Sequence, residues 1–273
     1  MMPPDSPATP ESDGPPSPLR KLVLLRQHFA KLYVEREHLV VNVKRNILAG
    51  FQRKLGAQEL ALKKAEWEVG RLRREVELVR GSAEDVDYDR IAGALEAEFT
   101  PQEQEIEEAP RQLEWANQRF SAMMTMEQTY AFQARFRRLA ERLHPDLRSD
   151  HSVTAENLWQ RARDSYIGGE AGDLEAIELL AEDLPAEKFE RLSLGEIEER
   201  VTFLKVANEK SINEISAIRQ EWPFPLAAKL PDEEWVKSQR DQYERKTADL
   251  LKERDTLAAE LNRILDTRPS GKE

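Results

Sequence analysis

The sequence predicts an all-α protein built largely from elongated coiled-coil helices. Charged residues make up 34% of the 273 residues and aromatic residues only 7%, and a chain of this composition buries less than a compact globular protein of the same length. Glycine occurs only 11 times, while the helix-favouring residues Glu, Arg, Leu and Ala are frequent. Long stretches carry apolar residues at steps of three and four, which is the period of a helix that buries one face.

The N-terminal part is predicted to change from a tail to a coiled coil at residue 19. Residues 1–18 contain seven prolines, which lack a backbone N–H, and we expect this segment to be disordered. Residues 19–81 then keep the three-four apolar rhythm of a coiled coil. The rhythm is interrupted around Gly50 and Gly56, so the segment forms either one rod with a stutter or a hairpin.

Residues 82–123 are predicted to form connecting helices. Thr100, Pro101 and Glu103 have the order of an N-cap, a first-turn proline and a third-position glutamate, which predicts a helix start at this point.

Residues 185–266 are predicted to form an antiparallel helical hairpin at the C-terminus. A capping box at Ser193 opens one long helix, Pro223 follows its last residues, and a second long apolar-striped helix comes next. A short proline-rich link between two such helices favours folding back. Residues 267–273 are predicted to be a frayed tail.

Between these segments, residues 124–184 hold a basic helix that ends in a His-Pro-Asp tripeptide. Its apolar stripe consists of Phe132, Phe136, Leu139, Ala140 and Leu143. Four arginines fall mostly off that stripe: Arg135, Arg137, Arg138 and Arg142. Pro145 cannot extend the helix, so it presents His144 at the helix end and Asp146 just beyond it. Considered alone, the tripeptide is also compatible with a histidine that caps the helix and a loop aspartate.

The charge of this helix contrasts with the rest of the chain. The net charge is −11, whereas residues 131–148 contain five arginines against two carboxylates. A positive face on an acidic protein suits an acidic docking surface on a partner.

This segment resembles the J domain of DnaJ-type co-chaperones. The resemblance spans the basic helix with Arg137-Arg138-Leu139-Ala140 and Leu143-His144-Pro145-Asp146, a polar loop, and a third helix near residues 154–167. In that third helix Leu158, Trp159, Ala162 and Tyr166 are expected to face the basic helix. The resemblance implies that His144, Pro145, Asp146 and the four arginines bind a DnaK-type ATPase and stimulate its ATP hydrolysis. The coiled coils would then select a client protein or a cellular site.

One departure from the family keeps a second hypothesis open. The first J-domain helix usually carries a Tyr-x-x-Leu-Gly pattern, which residues 114–130 do not reproduce. Residues 109–124 are a candidate replacement, because their apolar residues could pack on the J-like pair. The alternative is a structural coiled-coil adaptor whose J-like segment is degenerate and inactive.

No enzymatic activity, cofactor or metal site is expected. The chain has no cysteine, which excludes disulfides and thiolate chemistry, and two of its four histidines lie far upstream of the other two. No nucleophile with a base, paired acids in a pocket-forming fold or glycine-rich phosphate loop is recognisable.

The remaining expectations concern partners and location. The sequence has no apolar run long enough to span a bilayer and no signal peptide, so we expect a cytoplasmic protein without membrane contact. Nucleic-acid binding is not expected, because the arginines of residues 71–80 alternate with glutamates as on an ion-paired helix face. The coiled coils pack either within the chain or as a homodimer, and the sequence leaves both open.

Overall fold

Eight α-helices and no strand occur in the part of the chain that the computed structural model describes, which comprises residues 17–82, 87–121, 124–148, 152–185 and 189–267. They are α1 (Pro18–His38), α2 (Lys44–Gly81), α3 (Tyr88–Ser121), α4 (Met126–Leu143), α5 (Val153–Gly168), α6 (Ala171–Glu182), α7 (Leu194–Gln220) and α8 (Glu233–Asp266). The all-α prediction is confirmed. Most of the two predicted tails, namely residues 1–16 and 268–273, lies outside the described residues. None of the described helices has the length and apolar character needed to cross a membrane.

Side chains at the helix ends fix several of these boundaries. The Ser17 hydroxyl accepts a hydrogen bond from the Arg20 backbone N–H, and Pro18 occupies the first turn of α1. Thr125 and Gln128 form a reciprocal capping box at the start of α4. Asp232 caps α8 by accepting from two backbone N–H groups of its first turn. Local sequence therefore decides where these helices begin.

The helices divide into two units, of which the first comprises the described residues up to Val41 and those within Met124–Ile218. Helices α1, α4, α5, α6 and α7 share one apolar core in this unit. Its most deeply buried residues include Leu22, Phe136, Leu139, Leu143, Tyr166, Leu174 and Ile177. Helix α1 runs antiparallel to α4, since Arg26 contacts the last turn of α4 and Tyr33 contacts Phe136 earlier in it.

The second unit comprises Asn42–Met123 and the described residues from Arg219 onward, and contains α2, α3 and α8. Helix α3 runs antiparallel to α2, because the two ends Val79 and Ile91 share a cluster and the Trp67 indole N–H donates to the Phe99 carbonyl oxygen at 3.3 Å. Helix α8 runs parallel to α2. Lys54 pairs with Glu233 at the start of α8, and Arg80 pairs with Glu260 near its end.

This division differs from the segments predicted from the sequence. The backbone stays helical from Pro18 to Gly81, with π-helical hydrogen bonding over Leu39–Val43 and no turn at Gly50 or Gly56. However, the predicted coiled coil of residues 19–81 is shared between the two units. The apolar rhythm specified a buried face along the whole segment but did not specify which helices cover it.

Two further predictions require correction. The C-terminal hairpin is not confirmed, because α8 packs along α2 in the second unit whereas most of α7 belongs to the core of the first. The helix start expected at Thr100 and Pro101 does not occur either, since α3 continues through both residues. An interior proline costs a helix about 3 kcal/mol, and burial of Ile91, Leu95 and Phe99 against α2 is the compensating interaction.

Candidate functional site

The His-Pro-Asp tripeptide forms a tight turn at the C-terminus of α4. His144 has an extended backbone conformation, as expected for a residue before proline, and Pro145–Leu147 form one turn of 3-10 helix. The Asp146 backbone N–H donates to Nδ1 of His144 at 3.1 Å. Because an amide can only donate, Nδ1 must be unprotonated, and the neutral ring carries its proton on Nε2.

The His144 ring is enclosed by aromatic side chains from two helices. It contacts Phe29 and Tyr33 of α1 and Trp159 of α5 edge-on, with ring-centroid distances of 5.1, 4.7 and 4.9 Å. Only 7% of the residue is exposed. Burial lowers the pKa of His144 to about 4, although the nearby Asp146 carboxylate opposes the shift. His144 is therefore a neutral, packed residue that supports the turn from within.

Pro145 and Asp146, by contrast, lie on the outside of the turn. Both residues are exposed, and 52% of the Asp146 side chain is accessible to solvent. The Asp146 carboxylate lies 4.0 Å from the His144 ring. A partner that approaches this turn would meet a rigid proline and a carboxylate whose backbone is fixed by His144.

Helix α1 braces the turn through a second type of contact. The Arg26 guanidinium donates to the carbonyl oxygen of Leu147, the last residue of the 3-10 turn, and to the Glu141 carbonyl oxygen at 3.3 Å. The last carbonyls of a helix have no partner within it, so these bonds satisfy groups that would otherwise need water. Arg26 also lies over the Phe189 ring at 4.4 Å.

Two of the four predicted binding arginines are paired with helix α6. Arg135 donates to Glu178 at 3.0 Å, and Arg138 donates to both carboxylate oxygens of Glu178 at 2.5 and 3.2 Å. The hydrogen bonds from these arginines, that of Arg138 first, lower the pKa of Glu178, so it remains ionised. Arg135 also pairs with Glu175 at 3.4 Å.

The other two arginines differ from each other. Arg142 donates to the carbonyl oxygens of Glu182 and Leu184 at 3.0 and 2.8 Å, which satisfies the C-terminal end of α6. Arg137 makes a weaker contact, with Glu141 on its own helix at 3.8 Å, and 47% of its side chain is exposed. The structure thus separates the predicted set into three arginines facing α6 and one facing solvent.

The helix predicted near residues 154–167 is present as α5. Its residues Leu158, Trp159, Ala162 and Tyr166 are buried, and Tyr166 stacks on Phe136 of α4 with a ring-centroid distance of 4.1 Å. Its N-terminus is capped by Ser152, and it ends at Gly169, which adopts a left-handed conformation with φ +79°.

Sequence reasoning did not identify the bracing residues Arg26, Phe29 and Tyr33, nor the arginine partner Glu178. Helix α1, rather than the proposed residues 109–124, covers α4 and α5, since the described part of that segment up to Ser121 belongs to α3 of the second unit. The spacing of residues 26, 29 and 33 places them on one helix face, and this was the available signal. It could not be recognised because more than a hundred residues separate these positions from the turn.

Comparisons of the chain with models of protein families, with curated proteins and with solved structures gave no match.

Proposed function

We propose that this protein is a J-like co-chaperone or targeting factor that recruits a DnaK-type ATPase and stimulates its ATP hydrolysis. The observation that carries the proposal is the His144-Pro145-Asp146 turn, which ends a basic helix. In this turn His144 is buried and the Asp146 side chain is exposed to solvent. The two helices that flank the turn, α4 and α5, pack through stacked aromatic rings.

The bracing of the turn supports the same proposal. A surface aspartate in a mobile loop would lose conformational entropy when a partner bound it, whereas a preorganised one loses less. Here His144 fixes the Asp146 backbone, and Arg26 fixes the end of the turn. Helix α1 lies against α4 and α5, and under this proposal it would take the place of the first helix expected for a J-like fold.

A second candidate is a structural adaptor in which the J-like segment serves only as a folded support. Its specific basis is that Arg135, Arg138 and Arg142 already donate to groups of α6 and its C-terminal end. Under this hypothesis the coiled-coil helices would capture partners and the turn would bind no ATPase.

Steady-state ATP hydrolysis by a DnaK-type chaperone of the same cell separates the two candidates. The informative variant is Asp146→Asn, because the side chain is exposed and its replacement leaves the core unchanged. The matched control is Asp164→Asn, an identical change at an exposed position of α5. We expect several-fold stimulation by the wild type and the control, and none by Asp146→Asn.

Equal stimulation by all three proteins would contradict the proposed role of the turn. No stimulation by the wild type would favour the adaptor. His144→Gln is a weaker test because the residue is buried, and its result has to be compared with a thermal melt of the same variant.

A further inference from the structure

We propose that the docking surface for the ATPase is shared between α4 and the N-terminal helix α1, with Lys31 of α1 and Arg137 of α4 as its paired cations. This inference rests on the proposed function and deepens it. Two adjoining cavities of about 490 and 470 Å³ lie along the line where α1 meets α4, and both are lined by Lys31 and Arg137. The two cavities together form the α1–α4 groove.

The first step is the distribution of uncompensated positive charge. Arg135 and Arg138 share the Glu178 carboxylate, and Arg142 is bound to two carbonyl oxygens. An acidic partner that used these arginines would have to displace contacts already made. Arg137 is different, because its contact with Glu141 is long and nearly half of its side chain is exposed.

Lys31 supplies the second cation. It is exposed on α1 and forms no hydrogen bond or ion pair with the residues that the structure describes. His28 lies one turn before it and lines the same part of the groove. Cations from two helices therefore meet on one surface, although Lys31 and Arg137 are 106 positions apart in the sequence.

The groove also has apolar walls. Val34 of α1 and Ala134 of α4 line the part nearer the start of α4, where Tyr130 is 66% exposed. Leu24, 52% exposed, lines the opposite end. A surface with central cations and apolar ends is suited to bind a folded protein, because the apolar contacts add affinity and the cations add orientation.

Charge decides which kind of partner fits. The whole chain carries a net charge of −11, so it repels an acidic protein except where cations are left uncompensated. The α1–α4 groove is lined by the cations Lys31, Arg137 and Arg138 against the carboxylates Glu35 and Glu141, which leaves an excess of positive charge. Its occupant is accordingly an acidic surface of the DnaK-type ATPase, next to the contact that the ATPase makes with Asp146.

The test measures binding of the full-length chain to the DnaK-type chaperone with ATP at low and at high salt. Lys31→Glu is the informative variant, and Lys64→Glu, an exposed lysine of α2, is the control with the same charge change. We expect Lys31→Glu to weaken binding roughly five- to tenfold at low salt and less at high salt, because salt screens exposed charges. Lys64→Glu should bind like the wild type.

The outcomes separate this inference from the proposed function. If Lys31→Glu binds like the wild type while Asp146→Asn abolishes stimulation, the turn is functional but α1 is not part of the docking surface. Equal weakening by Lys31→Glu and Lys64→Glu would mean that only net charge matters, and would also overturn the inference. If the wild type neither binds nor stimulates the chaperone, both proposals fail. Circular dichroism melts of each variant check that the fold is unchanged.

Discussion

The phenol ring of Tyr33 lies edge-on against the imidazole of His144, with ring centroids 4.7 Å apart. The two residues are 111 positions apart in the chain, on α1 and at the end of α4. This contact links the N-terminal helix to the turn that carries Asp146. Helix α1 therefore supports the turn directly. We expect loss of the Tyr33–His144 contact to change both the stability of the first unit and the function of the turn.

Replacing Tyr33 by leucine should therefore destabilise the first unit and weaken the proposed stimulation of the ATPase. Loss of an aromatic ring from this partly buried site costs about 1–2 kcal/mol, and the pKa of His144 should rise towards its usual value as solvent reaches the ring. Urea unfolding, the ATPase assay and an NMR titration of His144 measure the three effects. Tyr33→Phe keeps the ring and is the control. An unchanged pKa in Tyr33→Leu would show that this ring does not shield His144.

Acid should destabilise the first unit because of His144. Its pKa is lowered to about 4 by burial, and it is influenced by Asp146, which raises it, and by Arg36 and Arg163, which lower it. Below pH 6.5 the unfolded chain binds a proton that the folded chain does not. The free energy of unfolding therefore decreases as the pH is lowered from 6.5 to about 4. The total loss is roughly 3 kcal/mol, at about 1.4 kcal/mol for each pH unit.

The measurement is the free energy of unfolding between pH 7 and pH 4, for the wild type and for His144→Gln. In the variant, the free energy of unfolding should depend less steeply on pH, by the equivalent of about one proton. His38 is partly buried, with its pKa lowered by desolvation, and it titrates in both proteins. Identical pH slopes in the two proteins would contradict the burial of a neutral His144.

Gly169 and Gly172 should respond differently to alanine. Gly169 has φ +79°, which is unfavourable for a residue with a Cβ, and it ends α5. Gly169→Ala should cost about 1 kcal/mol of stability, whereas Gly172→Ala in the first turn of α6 has open space around the added methyl group. We expect Gly172→Ala to be neutral or slightly stabilising. Thermal melts of the two variants give the comparison, and equal effects would argue against the left-handed conformation.

The parallel arrangement of α2 and α8 can be tested by cross-linking, since the chain has no cysteine of its own. Cysteines at positions 80 and 260 replace Arg80 and Glu260, which form an ion pair, and a short bis-maleimide should join them within one molecule. Arg80→Cys with Glu233→Cys is the control. Glu233 pairs with Lys54, which lies roughly 40 Å from Arg80 along α2, and should not react. Cross-linking of the control pair in preference would mean that the helices run antiparallel.

Much of the local structure follows directly from the sequence. The start of α4 follows from the Thr125 capping box, and its end follows from Pro145, because a proline disfavours the helical conformation of the residue before it. The buried faces of α4 and α5 were also identified, since burial of Phe136, Leu139 and Trp159 matches their three-four spacing.

The tertiary structure alone decided which helices meet. An apolar stripe states that a helix face must be buried, but several stripes of similar width were available as partners, and hydrophobic contact is not directional. The sequence therefore did not distinguish α2 from α7 as the partner of α8, or α1 from residues 109–124 as the cover of the J-like pair. Arg26, Tyr33 and Glu178 became part of the site only through long-range packing, because their contacts join residues that are far apart in the chain.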